Sequence, residues 1–147
     1  MLCRDIMKTT VITCREEDSL QRCAELMKLW KIGMLPVVDG GGHVVGVLTD
    51  RDIVVRGLAE NKPLSMPSRS IMTKALVDCR PEEELWLAEE RMASGHKSRI
   101  LIVDEHHRCV GVISLSDISQ SEGGPRAAEL LQQVTRREAF PSRAAGR

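Results

Sequence analysis

Two seven-residue stretches carry, in the same order, the residue types that a phosphate-bearing ligand needs. Gly46-Val47-Leu48-Thr49-Asp50-Arg51-Asp52 and Gly111-Val112-Ile113-Ser114-Leu115-Ser116-Asp117 each run glycine, two apolar residues, a hydroxyl residue, two variable residues and an aspartate. Apolar residues giving way to a capping hydroxyl predict a strand that ends where a helix starts. The free backbone N–H groups and positive end of such a helix attract anions. There Thr49 or Ser114 can donate to a phosphate, and Asp52 or Asp117 can accept from ribose hydroxyls. Arg51 adds a charge suited to phosphate in the first stretch only, since Ser116 stands in its place in the second. The same letters also spell a capping box, which needs no ligand. The two roles share one junction and do not exclude each other.

No other constellation competes. The chain has neither a Gly-x-x-x-x-Gly-Lys-Ser/Thr loop nor a Gly-x-Gly-x-x-Gly fingerprint, and Gly40-Gly41-Gly42 fits a hairpin turn. His43, His96, His106 and His107 fall in or beside predicted loops, with no nucleophile elbow and no paired carboxylates, so no catalytic residue is assigned and no enzyme is expected. Cys3, Cys14, Cys23, Cys79 and Cys109 contain no Cys-x-x-Cys pair, and His106 and His107 beside Cys109 read as a solvated loop. No metal site is expected. The cysteines suit reduced, small core residues. A redox or metal sensor built on Cys14 and Cys79 is a further class, for which core packing is the simpler account.

The elements that must position the two junctions repeat. Offset by 65 residues, positions 6–53 align with 71–118 without a gap and fifteen of the 48 pairs are identical, where about three are expected by chance. Each copy predicts a short extended piece (Val11–Thr13, Leu76–Asp78), a helix, two strands and a second helix. In the first copy Asp18 or Ser19 can cap a helix with Leu20, Cys23, Ala24, Met27 and Trp30 on one stripe. In the second, Pro81 suits the first turn, and Leu85, Ala88 and Met92 repeat the spacing. The strands are Leu35–Val38 with Val44–Leu48, and Ile100–Val103 with Cys109–Ile113. The first copy's second helix is expected to end near Glu60. The repeats then span 1–60 and 71–120, with a Pro-bearing linker at 61–70. The tail, 121–147, holds a short helix over Pro125–Ala139 with Leu130, Leu131 and Val134 on one side and Arg136 and Arg137 facing solvent.

Composition bounds the partners. The 147 residues carry 21 Lys+Arg against 21 Asp+Glu, with 42% hydrophobic residues and only Trp30, Trp86 and Phe140 aromatic. Zero net charge and so few rings argue against a nucleic acid. No apolar run is long enough to cross a bilayer and the first residues lack a secretory pattern, so no membrane partner and a cytoplasmic location are expected.

Leu35-Pro36-Val37-Val38-Asp39 followed by Gly46-Val47-Leu48-Thr49-Asp50-Arg51-Asp52-Ile53, in duplicate, resembles the CBS domain family, and two tandem copies resemble a Bateman module. The resemblance covers about residues 3–120 and is strongest to small stand-alone bacterial CBS domain proteins. It implies an α/β (α+β) fold of two β-α-β-β-α repeats packed about a pseudo-twofold axis. It also implies a regulatory module that binds an adenine-containing ligand (AMP, ADP, ATP, NAD or S-adenosylmethionine), requires no cofactor, and signals through conformation or assembly. Carried over, Asp52 and Asp117 hold the ribose, Thr49 and Ser114 contact phosphate or ribose, and Arg51 meets phosphate. Ile12, Thr13, Cys14, Met34 and Pro36 flank the base in the first site. Val77, Asp78, Cys79, Arg99 and Leu101 occupy the matching positions of the second. The resemblance further implies a homodimer, and any output must pass to a client protein or to the assembly itself. The alternative is a structural interaction module with vestigial nucleotide sites.

Overall fold

The computed structural model describes residues 1–139. Two three-stranded sheets of identical plan organise it, ordered β1-β2-β3 and β4-β5-β6. In the first, β1 (Cys14–Arg15) lies parallel to β2 (Met34–Val38), which pairs antiparallel with β3 (Val44–Thr49). The second uses β4 (Asp78–Cys79), β5 (Arg99–Val103) and β6 (Cys109–Ser114), with β4 parallel to β5. The first strands form later than Val11–Thr13 and Leu76–Asp78, at the cysteines.

Helices fill the gaps. α1 is the single turn Cys3–Ile6. α2 (Leu20–Trp30) is capped by Ser19, whose side chain accepts from the Arg22 amide at 3.1 Å. Asp18 instead closes the preceding turn by accepting from the Arg15 amide at 2.8 Å. Leu20, Cys23 and Met27 are buried as the stripe predicts, but Trp30 is 51% exposed. The last turn of α2 runs past the core and stops at Lys31, which is left-handed (φ 54°). α3 begins at Asp50–Asp52, widens into a π-helical turn over Ile53–Gly57 and tightens at Leu58–Glu60. α4 (Leu85–Gly95) starts four residues after Pro81. That proline sits in a turn closed by the Glu83 carboxylate accepting from the Arg80 amide at 2.6 Å. Leu85, Ala88 and Met92 are buried. α5 (Leu115–Ser121) and α6 (Gly124–Ala139) complete the described residues; α6 buries Ala127, Leu130 and Val134 and packs on α4 and α5, while Leu131 is exposed.

The two compact units are not contiguous in sequence. The first comprises Thr10–Leu76 with Val103–Val110; the second comprises Met1–Thr9, Val77–Ile102 and the described residues from Gly111 onward. Each β-hairpin is therefore completed by a segment from outside its own repeat. Thr73 exchanges backbone hydrogen bonds with Val47 (2.8 and 2.9 Å) in the first unit, and Lys8 with Val112 (2.9 and 3.0 Å) in the second. Glycine is required where these segments cross. A Cβ on Gly46 would lie 2.5 Å from Met72 Sδ, and one on Gly111 would lie 2.7 Å from Met7 Sδ. The first core joins Cys14, Leu20, Cys23, Met27, Leu35, Val37, Leu48, Ile71 and Met72. Among the described residues no helix is long and apolar enough to cross a membrane.

Candidate functional site

Both hydroxyl–aspartate junctions form complete capping boxes. In the first unit Thr49 Oγ1 accepts from the Asp52 amide at 3.1 Å, and Asp52 Oδ2 accepts from the Thr49 amide at 3.0 Å. In the second, Ser114 Oγ accepts from the Asp117 amide at 3.2 Å, and Asp117 Oδ2 accepts from the Ser114 amide at 2.8 Å. The Ser114 hydroxyl also donates to Asp117 Oδ2 at 2.6 Å. Each aspartate thus spends one oxygen on its helix and keeps the other, Oδ1, for a different partner.

Those outer oxygens face cations that pattern reading did not assign. Arg56 Nε lies 3.9 Å from Asp52 Oδ1, and Lys8 Nζ lies 3.0 Å from Asp117 Oδ1. Arg56 sits one turn past Asp52 on the same helix, a legible i,i+4 relation. Lys8 arrives on the crossing N-terminal segment, and nothing local to Asp117 announces it. Burial pushes the Asp117 carboxyl up, but the Ser114 hydroxyl and amide, with Lys8, outweigh it and hold the group below the usual carboxylate range. It is therefore an anion that can accept hydrogen bonds.

In the first unit, register places Met34 opposite Thr49 and Pro36 opposite Val47, and Cys14 beside Val37. Ile12 and Thr13 precede Cys14 and lead back along β2 toward the same end. Pro36 and Cys14 are buried, Ile12 and Met34 partly so, and Thr13 and Arg51 are exposed. Thr13 and Cys14 also border a cleft of about 640 Å³ at the other end of the hairpin, with Asp18, Arg22 and Asp39.

In the second unit, Arg99 and Ser114 line one recess of about 450 Å³ with Ser98, Leu115, Ser116 and Ser119; Ala127, Ala128 and Leu131 of α6 form its far wall. Asp78 lies opposite Leu101 in register, and the Leu101 amide donates to the Val77 carbonyl at 3.3 Å. Leu101 and Cys79 are buried; Val77 and Asp78 are half-buried. The asymmetry between the junctions is physical: Asp50 and Arg51 make the first polar, whereas Leu115 and the wall of α6 make the second partly apolar. His106 and His107 are exposed, and among the described residues no group of three or more His, Cys, Asp or Glu could hold a metal.

A family model described as "CBS domain" matches residues 3–58 and again 69–122. The "CBS domain-containing protein YhcV" of Bacillus subtilis (strain 168) is 34% identical over 119 residues, covering 81% of this chain and 84% of that protein. The "Uncharacterized protein YlbB" of the same organism is 33% identical, with 90% of each chain covered. Among solved structures, the CBS domain pair of protein MJ0100, in complex with 5′-methylthioadenosine and S-adenosyl-L-methionine, superimposes with a TM-score of 0.75. It is 30% identical, and the match covers 84% of this chain and 97% of that one. The duplicated sheets, the repeated capping junctions and these similarities together place the chain in the CBS domain family, as a tandem pair.

Proposed function

We propose that the chain is a non-catalytic regulatory module that binds an adenosyl ligand at its hydroxyl–aspartate junctions and passes the signal on through conformation or assembly. One observation carries this reading. In both repeats the aspartate that closes the capping box keeps a second carboxylate oxygen outside the box, directed at a cation. A helix cap needs one oxygen; a ribose needs the other. The ligands of the MJ0100 pair share the adenosyl group, which is the chemistry these junctions fit. Ile12, Thr13, Cys14, Met34 and Pro36 then flank the base in the first unit, with Arg51 toward phosphate. Val77, Asp78, Cys79, Arg99 and Leu101 take the matching roles in the second. The first site fills before the second, because Lys8 already holds Asp117 Oδ1. The exposed Leu29, Trp30, Val54, Val55 and Leu58 of α2 and α3 support a homodimer or a client protein as the reader of the signal.

Thermal unfolding against AMP, ADP, ATP, NAD and S-adenosylmethionine, with Asp52→Ala and Asp117→Ala alongside, tests the reading. A ligand at a hundred times its Kd adds about 2.7 kcal/mol of stability. A midpoint shift with one ligand, reduced by either change, is the expected result. No shift with any ligand above a millimolar sinks it. The completeness of both capping boxes would then favour the interaction module.

A further inference from the structure

The five cysteines are all thiols, and four of them meet in two buried pairs, one per unit. The Cys14 and Cys23 thiols interact with each other in the first unit, as do the Cys3 and Cys79 thiols in the second. Cys14 and Cys79 are repeat-equivalent, but their partners are not. Cys23 belongs to α2, in the middle of the first core, whereas Cys3 belongs to the N-terminal segment that crosses onto the second unit.

That segment is a strap held by backbone hydrogen bonds and by the buried Cys3 side chain. The Cys3 amide donates to the Glu83 carbonyl at 2.9 Å, the Arg4 amide to the Pro81 carbonyl at 3.0 Å, and the Leu85 amide to the Met1 carbonyl at 2.8 Å. Farther along, Lys8 pairs with Val112 and reaches Asp117. Lifting the first turn of the strap exposes Cys3 while leaving the sheet intact. Exposing Cys23 requires unwinding α2 from its core. The two pairs also differ electrostatically. Arg91 Nη1 donates to Cys79 Sγ at 2.9 Å, and Glu83 holds that guanidinium at 2.8 and 3.0 Å. An N–H aimed at sulfur favours the negative charge that thiol–disulfide exchange needs, set against the reduced Cys3 thiol and burial, which push the Cys79 thiol up.

We propose that Cys3 and Cys79 form a reversible disulfide that staples the N-terminal strap to the second unit, with a low-molecular-weight disulfide as the oxidant. Cys3, on the liftable segment, loses its proton and attacks one sulfur of the small disulfide. A mixed disulfide forms and one small thiolate leaves. The strap reseats, Cys79 loses its proton beside Arg91 and attacks Cys3 Sγ, and the second small thiolate leaves. Two protein thiols are oxidised by two electrons, and one small disulfide is reduced to two thiols. The neighbouring Cys79 supports the first step: it holds the Cys3 thiol below its ordinary value against the burial that raises it. Closure fixes Lys8 against Asp117.

The test uses the full chain with oxidised glutathione, followed by alkylation and peptide mapping. Cys3–Cys79 is expected as the first internal crosslink, formed while Cys14 and Cys23 still alkylate only on unfolding. It should raise the thermal midpoint by about 5–15 °C. Dithiothreitol reverses both changes, and Cys3→Ser and Cys79→Ser each abolish them. A Cys14–Cys23 crosslink appearing first, or a protein whose Cys3 and Cys79 stay reduced while Cys109 is glutathionylated, overturns the proposal. The wild-type map decides the matter even if neither variant folds.

Discussion

Replacing Asp52 by asparagine separates the two things that its carboxylate does. An asparagine carbonyl can still accept from the Thr49 amide, the 3.0 Å bond that closes the capping box. What it loses is the charge, and an outer oxygen becomes an NH2 group that cannot accept from ribose. On the helix side, the loss is one acidic group in a first turn, about 0.3–1 kcal/mol. That moves the midpoint of a chain this size by about 1–4 °C. On the ligand side, hydrogen bonds to a charged acceptor contribute about 1.5–3 kcal/mol, so affinity for S-adenosylmethionine or a nucleotide should fall about 10- to 150-fold. Isothermal titration calorimetry measures the second quantity, and thermal unfolding without ligand the first. Asp117→Asn should behave alike, with an additional small loss because Lys8, 72% exposed, gives up its ion pair. Binding as tight as wild type in both the Asp52→Asn and the Asp117→Asn protein would show that the outer oxygens touch no ligand. Stability that collapses without ligand would show that the charge, not the geometry, makes the cap.

Two further outcomes follow from packing and charge. Gly46→Ala and Gly111→Ala each drive a methyl into a methionine of the crossing segment, and should cost about 1–3 kcal/mol in urea unfolding; an unchanged midpoint would mean that the segments do not pack as described. Glu89 of α4 is pushed up by burial and then by Glu122, against Arg126 of α6, which donates to it at 2.7 Å. Because the folded group holds its proton more tightly than the unfolded one, stability falls as pH rises from its ordinary value of 4.5 through the raised one. Glu89→Gln should remove that decline and raise the midpoint at neutral pH, and a slope unchanged in the variant would refute the assignment.

Much of this architecture is legible in the letters, because it is local. The 65-residue offset announces the duplication, and both Thr49/Asp52 and Ser114/Asp117 sit where a strand's apolar alternation stops. Ser19 reads as a cap and is one. What escapes is non-local or marginal. Trp30 keeps the helical spacing of the core stripe, yet it is half-exposed at the end of α2. Pro81 fits a first turn, but the Glu83 side chain closes a competing turn and delays α4. The pairings of Lys8 with Val112 and of Cys3 with Cys79 join residues that share no local pattern. So the cation on Asp117 and the thiol pair emerge only in three dimensions.

The exchange of segments also orders the birth of the molecule. On the ribosome, Met1–Thr9 emerges long before its partner strand, which ends at Ser114. The first unit has most of its partners within Thr10–Leu76 and can begin to condense while the rest is still being made. That segment must wait, unpaired, until the strand is made. A fusion beside Met1 is therefore felt at β6, where this segment closes the second unit.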